Sequence, residues 1–229
     1  MQESVLITGV NRGIGLEFAR QYAAAGWRVH ACCRRPEAAA ELDALKGPNV
    51  SVHRLDVADP ASIASLAQEL KGTALDLLLN NAGTYGPATT GFGHLQSEPW
   101  LDTFRVNSVA PLLMAQAFLE HLEAGRGRTI ATLTSKMGSM GDNGSGGSYV
   151  YRSSKAALNA ALKSLSLDLA PRSLKVLILH PGWVRTDMGG PNGLIDAEQS
   201  VRGLRQVIAS AGAQQNGGFF NYDGTHIPW

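Results

Sequence analysis

Short apolar runs alternate along this chain with longer stretches in which apolar positions recur every three or four residues. The runs at 4–8 (SVLIT), 28–33 (RVHACC), 50–55 (VSVHRL), 75–79 (LDLLL), 129–134 (TIATLT) and 175–180 (KVLILH) have strand length. A last run at 218–222 (GFFNY) reads as an edge strand. Helical periodicity begins at Leu16, at Pro60 behind Asp59 as N-cap, and in the stretch 154–169. It also spans 100–123 as one long helix, which Pro111 should bend or leave short of a hydrogen bond. Repeated strand–helix units predict an α/β fold, a doubly wound parallel sheet of about seven strands with helices on both faces. Nothing marks a repeat, a linker or a second domain, so residues 1–229 are expected to form a single domain.

The first strand runs into Gly9-Val-Asn-Arg-Gly13-Ile-Gly15 and then into an amphipathic helix. Strand, glycine turn and helix start make the context in which a dinucleotide fingerprint is meaningful. Gly9 allows the tight turn, Gly13 lets the backbone approach a pyrophosphate, and Gly15 permits close helix–strand packing. The helix N-terminus offers unpaired N–H groups and a positive dipole end to phosphates. An NAD site usually carries an Asp or Glu at the end of the second strand. That position here is Cys33, followed by Arg34, while Arg12 lies inside the glycine loop. Guanidinium groups suit a 2′-phosphate, which they bind bidentately, so NADP(H) is expected ahead of NAD(H).

A net charge of +1 gives no drive toward nucleic acid or anionic membrane. No apolar run approaches the ~18 residues of a membrane span. Met1-Gln-Glu leads directly into the first strand, so no signal peptide is expected, and a cytoplasmic location follows. Cys32 and Cys33 are neighbours on a strand and point to opposite faces, which suits core thiols in a reducing compartment. The six histidines show no metal spacing, and no metal is expected.

Tyr151 and Lys155 lie four apart on a helix and so share one face. A neighbouring cation favours the phenolate, so the tyrosine is expected to become an acid or base usable near neutral pH. Tyr149, six residues before Lys155, falls on a different face.

Thr8-Gly9-x-x-x-Gly13-Ile-Gly15, Asn80-Asn-Ala-Gly83, Asn107, Ser135, Tyr151-x-x-x-Lys155 and Pro181-Gly182 stand in order along the chain. Together they resemble the short-chain dehydrogenase/reductase family, in its compact single-domain, Rossmann-type form. The stretches 151–159 (YRSSKAALN) and 180–188 (HPGWVRTDM) resemble its C-factor and sniffer-type carbonyl reductase branch. The resemblance implies an NADP(H)-dependent oxidoreductase acting on a small carbonyl or alcohol. Tyr151 would be general acid/base, assisted by Lys155, by Ser135 on the substrate oxygen and by Asn107, which helps hold a relay water. Ser139 competes with Ser135, and Asn107 could instead satisfy backbone groups freed by Pro111. The resemblance also implies cofactor contacts from Gly9, Asn11, Arg12, Gly13, Ile14, Gly15, Arg34, Asp56, Val57, Asn80, Ala82, Gly83, Tyr151, Lys155, Pro181, Gly182, Val184 and Thr186. Asn80 is taken as the direct contact at its strand end, with Asn81 as backbone packing. Asp56 could instead cap the following helix, although Asp59 is better placed. Trp183 could line the pocket or simply pack.

Long glycine-rich loops at 83–93 and 136–148, and a candidate substrate lid at 187–199, leave the carboxyl ends of strands, where such sheets bind ligands. The helices at 100–123 and 154–169 resemble those that pair across a two-fold axis in the family, so a homodimer or homotetramer is expected. Two other readings stay open. One is a C-factor-like signalling protein that binds NADP(H) with little turnover. The other is a non-redox member of the superfamily, though such enzymes usually carry a separate substrate domain.

Overall fold

In the computed structural model, which describes residues 2–87 and 91–229, all seven runs pair in parallel as one sheet of order β3-β2-β1-β4-β5-β6-β7. The strands are β1 (Ser4–Thr8), β2 (Arg28–Cys33), β3 (Val50–Arg54), β4 (Leu77–Asn80), β5 (Thr129–Leu133), β6 (Lys175–His180) and β7 (Phe219–Asn221). The helices are α1 (Gly13–Ala24), α2 (Ala40–Asp43), α3 (Pro60–Glu69), α4 (Ser97–Phe104), α5 (Ala110–Ala117), α6 (Leu119–Ala124), α7 (Tyr149–Leu169) and α8 (Ala197–Ser210). Strand order reverses between β1 and β4, which opens a crevice at their carboxyl ends.

Side-chain parity on the strands builds two apolar layers. Val5, Ile7, Val29, Ala31, Leu77, Leu79, Leu177 and Leu179 face one way and pack with Phe18 of α1 and Leu204 of α8. Leu6, Leu78, Ile130, Val176 and Ile178 face the other way and pack with Ile63 of α3, Met114 of α5 and Leu158 of α7. Each fully buried large side chain contributes roughly 1.5–3 kcal/mol of transfer free energy. Cys33 joins the first layer and Cys32 the second, as expected of neighbours on a strand, and both are free thiols.

Three elements differ from the sequence reading. β4 starts at Leu77 rather than at residue 75, because Leu75 N–H already bonds the His121 carbonyl. The Asp76 carboxylate then accepts from Ser4, Arg126 and Gly127 N–H, tying the amino ends of β1, β4 and β5 together. The stretch 100–123 is not one helix. It divides into α4, α5 and α6, with a π turn at Arg105–Val109 where Ala110 N–H reaches back five residues to the Arg105 carbonyl. Pro111 is the cause, since without an N–H it offers nothing to the Asn107 carbonyl four residues earlier. α8 was not read from the sequence, and its first three residues take the end of the expected 187–199 lid. Asp196 caps it by accepting from Gln199 N–H at 2.7 Å, so the loop after β6 ends there. Asp59 caps α3 as expected, accepting from Ala61 N–H. Part of the expected 83–93 loop, residues 88–90, lies outside the described residues.

Candidate active site

A cleft of about 880 Å³ lies over the carboxyl ends of β1, β2, β4 and β5. Gly9, Asn11, Arg12, Gly13, Ile14, Gly15, Arg34, Asp56, Val57, Ala82, Gly83, Tyr151, Lys155, Pro181 and Thr186 all line it. Most candidate residues, scattered over 178 positions of sequence, therefore meet in one place.

Its glycine end is held by the side chains of Thr8, the last residue of β1, and Asn81, the residue after β4. Asn81 Nδ2 donates to the carbonyls of Thr8 and Gly9, and Thr8 Oγ1 accepts from Asn81 and Ala82 N–H. Gly9 adopts φ +73°, a left-handed turn that disfavours a side chain. A Cβ at Gly15 would overlap the Gly9 carbonyl, so α1 can approach this closely only with glycine there. The first turn of α1 carries no acid, and Arg12 at its N-cap gives no side-chain cap. Those leading N–H groups are left for an anion, and this cradle fits a dinucleotide pyrophosphate.

At the outer end, Cys33 and Arg34 line the cleft, with no acid at the β2 terminus. Arg12 does not join Arg34 there. Its guanidinium pairs with Asp187 at 2.8 Å, reaching across to the loop after β6. Both partners are about 70% exposed (69% and 72%), so the pair is worth at most about 1 kcal/mol and can be exchanged. Glu41 of α2 brings a carboxylate into the lining, paired with Arg20 at 2.8 Å. Asp56 accepts from Ala58 N–H at 3.0 Å in a local turn and leaves helix capping to Asp59.

Asn80 stands apart from the cleft. It is buried, with Nδ2 directed to the Pro111 carbonyl and Thr132 Oγ1. Its neighbour Asn81 lines the cleft instead, because successive strand residues point to opposite faces. Gly182 (φ +83°) shapes the turn after β6 without lining the cleft. The Val184 side chain is buried and paired with Ile195 in an isolated bridge, so it can meet a ligand only through its backbone. Thr186 lies against Gly13 and accepts from Gly189 N–H. Trp183 neither lines the cleft nor packs inside: it is half exposed, and its Nε1 donates to the Gly189 carbonyl.

The reactive groups gather where β5 ends and α7 begins. Tyr151 is buried, and Ser135 is the serine that acts on its phenol; Ser135 Oγ accepts from Met137 N–H at 3.1 Å, and Ser139 Oγ accepts from Asp142 N–H at 3.0 Å. Tyr149 is exposed beside Phe92. Lys155 is buried, with Nζ 3.0 Å from the Leu133 carbonyl and 5.9 Å from the centre of the Tyr151 ring. Burial brings its ammonium down to about 8. The expected depression of the tyrosine is not found. Burial pushes the Tyr151 phenol up to about 12, opposed by the Ser135 hydrogen bond and reinforced by Tyr85. Desolvation of the phenolate decides the direction, and Lys155, whose Nζ is aimed at Leu133, is not among its causes. Asn107 is fully buried, and its side chain does not serve backbone groups freed by Pro111. Its Oδ1 accepts from Thr84 N–H at 2.9 Å, and its Nδ2 donates to the Thr84 carbonyl at 2.8 Å and to Ser154 Oγ at 3.0 Å.

The family profile described as short chain dehydrogenase matches residues 3–194. This chain belongs to that family. C-signal of Myxococcus xanthus is 44% identical over 155 residues, covering 68% of this chain and 93% of its own length. The carbonyl reductase Sniffer of D. melanogaster superposes with a TM-score of 0.94 at 37% identity, over 100% of both chains. The NADPH-bound carbonyl reductase from chicken fatty liver does so with a TM-score of 0.91 at 35% identity, again over 100% of both. The expected C-factor and sniffer-type branch agrees with these relatives.

Two residues of this short chain dehydrogenase were not singled out from sequence, and Asn81, expected only as backbone packing, latches the glycine loop. Glu41 enters from a helix too short to leave a periodic pattern. Tyr85 lays its ring on Tyr151 with centroids 4.6 Å apart. Among the described residues no group of three or more metal-ligating side chains occurs, and no helix is long and apolar enough to cross a membrane.

Proposed function

We propose that this protein is an NADP(H)-dependent oxidoreductase that interconverts a small-molecule carbonyl and its alcohol. The observation that carries the reading is that Tyr151 and Lys155 line the cleft that begins at the glycine cradle, with Ser135 just outside the lining and acting on the Tyr151 phenol. Gly9, Gly13, Gly15 and the α1 N-terminus would hold the pyrophosphate. Arg34 would meet the 2′-phosphate, joined by Arg12 once it exchanges Asp187 for that group. Cys33 at the β2 terminus, where an NAD site carries an acid, favours NADP(H). The NADPH-bound chicken carbonyl reductase supports the same choice.

Bound NADPH supplies hydride to the carbonyl carbon. Tyr151 gives its phenolic proton to the carbonyl oxygen, and its raised pKa keeps that proton in place at neutral pH. Ser135 Oγ accepts from Met137 N–H and keeps its own O–H to serve as the second donor toward the oxygen, where negative charge develops. Lys155 stabilises the phenolate that remains. The Asn107 side chain is fully engaged, so its part in returning a proton falls to the backbone carbonyl, which Pro111 deprives of a helix donor.

The test is a panel of aliphatic and aromatic aldehydes and ketones with NADPH, followed by loss of the reduced nicotinamide absorbance. Consumption with at least one carbonyl is expected, and none with any of them would count against the reading. The identity to C-signal favours one second reading, a signalling or regulatory protein that binds NADP(H) with little turnover. Tight NADPH binding without turnover across the panel would select it.

A further inference from the structure

The proposed chemistry gives no task to Tyr85, yet the structure fixes this side chain on three sides. The residue before it is clamped, since Thr84 N–H and C=O both pair with the Asn107 side-chain amide. The same Asn107 Nδ2 donates to Ser154 Oγ, which in turn donates to the Tyr151 carbonyl at 2.8 Å, so the clamp is referenced to the helix at Tyr151 itself. The residue after it is wedged. Gly86 has φ +86°, and a Cβ there would stand 2.8 Å from Thr103 Oγ1 and 3.2 Å from Val150 Cγ1. The ring's tip is tethered too, with the Tyr85 hydroxyl 3.0 Å from Ser148 Oγ at the N-cap of α7. Between these three holds, the Tyr85 ring lies on that of Tyr151, tilted by 24° with centroids 4.6 Å apart, an offset stack. Tyr151 lines the cleft and Tyr85 does not, so Tyr85 backs the phenol from outside.

We propose that Tyr85 is a positioning residue for the Tyr151 proton donor, its clamped ring fixing the direction of the phenol and keeping water from one of its faces. The inference rests on the reading of Tyr151 as general acid. Tyr151 must deliver its proton to an atom held elsewhere in the cleft, and a misplacement of about 1 Å in such a group can cost on the order of a hundredfold in rate. The side chain of Asn107 thereby acquires a use apart from any relay water: it holds the loop that holds Tyr85.

The experiment compares Tyr85→Phe and Tyr85→Ala in the full chain, with Tyr151→Phe alongside. It measures kcat and KM with the best carbonyl of the panel, the dissociation constant for NADPH, and kcat against pH. Tyr85→Ala is expected to lose roughly ten- to a hundredfold in kcat with NADPH affinity unchanged. Its alkaline fall in rate should move to lower pH, because the phenol loses the ring that shields it. Tyr85→Phe keeps the stack and loses one of the three holds, the Ser148 tether, and should fall much less in kcat than Tyr85→Ala, with the alkaline limb displaced less. Parental kcat and profile in Tyr85→Ala would overturn the proposal. So would equal damage in Tyr85→Phe, which would assign the effect to the tether, or a parallel loss of NADPH binding, which would make Tyr85 a support of the loop. Should Tyr85→Ala fail to fold, Tyr85→Leu, which keeps bulk without a planar ring, reads the same quantities. Turnover surviving in Tyr151→Phe would overturn the acid assignment and this inference with it. A dead Tyr151→Phe beside a parental Tyr85→Ala would overturn this inference alone.

Discussion

Lys155→Met should abolish turnover and yet leave the free protein as stable as the parent at pH 7, or more so. The Lys155 ammonium is buried, and burial brings its pKa from an ordinary 10.5 down to about 8. At pH 7 the lysine is protonated in both folded and unfolded chains, and each unit of depression costs about 1.4 kcal/mol, or about 3 kcal/mol in all. Methionine removes that cost. It also takes away the donor that the Leu133 carbonyl meets at 3.0 Å, a loss of about 1–3 kcal/mol. The net at pH 7 therefore runs from parity to roughly 2 kcal/mol in favour of the variant, or up to about 8 °C in melting temperature for a domain of this size. The pH dependence carries the sharper sign. Between about pH 8 and 10.5 the folded lysine is neutral while the unfolded one still holds its proton. The unfolded state then binds more protons, so parental stability climbs with pH and the variant's does not. From pH 7 to pH 9 the parent should gain roughly 1 kcal/mol on Lys155→Met. Urea denaturation of both proteins at pH 7, 8 and 9, without cofactor, measures the difference directly. A gap that stays constant across these pH values would refute the picture of a buried, depressed ammonium.

Arg34→Ala should weaken NADPH roughly ten- to a hundredfold, the worth of a charge-assisted contact, and leave NADH affinity unchanged. Direct titrations of both cofactors check this, and an equal fall for both would remove Arg34 from the 2′-phosphate. Gly15→Ala forces a Cβ onto the Gly9 carbonyl, so the variant should lose NADPH binding at concentrations that saturate the parent, as isothermal titration would show. The protein is expected to associate as a homodimer or homotetramer, with Leu101 of α4, Val109 beside it and Leu167 of α7 supplying exposed apolar surface. Sedimentation at micromolar concentration should find at least a dimer, and a monomer at every concentration would contradict it.

What the sequence disclosed and what it hid follow a physical line. Features set by local spacing were legible: the glycine loop, the shared face of Tyr151 and Lys155, the opposed Cys32 and Cys33, and the Asp59 cap. Pro111 announced a fault in its helix, but not that the fault would be a π turn centred on Asn107. The helix α8 was readable in principle, with Val201, Leu204 and Ile208 on one stripe behind an Asp196 cap, yet no element was read over 200–210 and its first turn was counted in the 187–199 lid. At the end of β4 a single position separates Asn80, turned into the core, from Asn81, turned to the cleft, and composition cannot decide which way a strand end faces. The pKa of Tyr151 was expected to fall because a cation stood nearby in sequence, and it rises because of burial, a property of the whole fold, while that cation is turned to the Leu133 carbonyl. The Arg12–Asp187 pair and the Tyr85–Tyr151 stack join residues 175 and 66 positions apart, beyond any local pattern.

The central claim is that Tyr151 is the proton donor of a carbonyl reductase, and Tyr151→Phe tests it most directly because it removes one hydroxyl and keeps the buried ring. NADPH affinity and carbonyl-dependent NADPH consumption should be measured on the same preparation of parent and variant. The account predicts that the variant binds NADPH as the parent does and consumes it no faster with the carbonyl than without. Carbonyl-dependent consumption in Tyr151→Phe at a rate near that of the parent would contradict it.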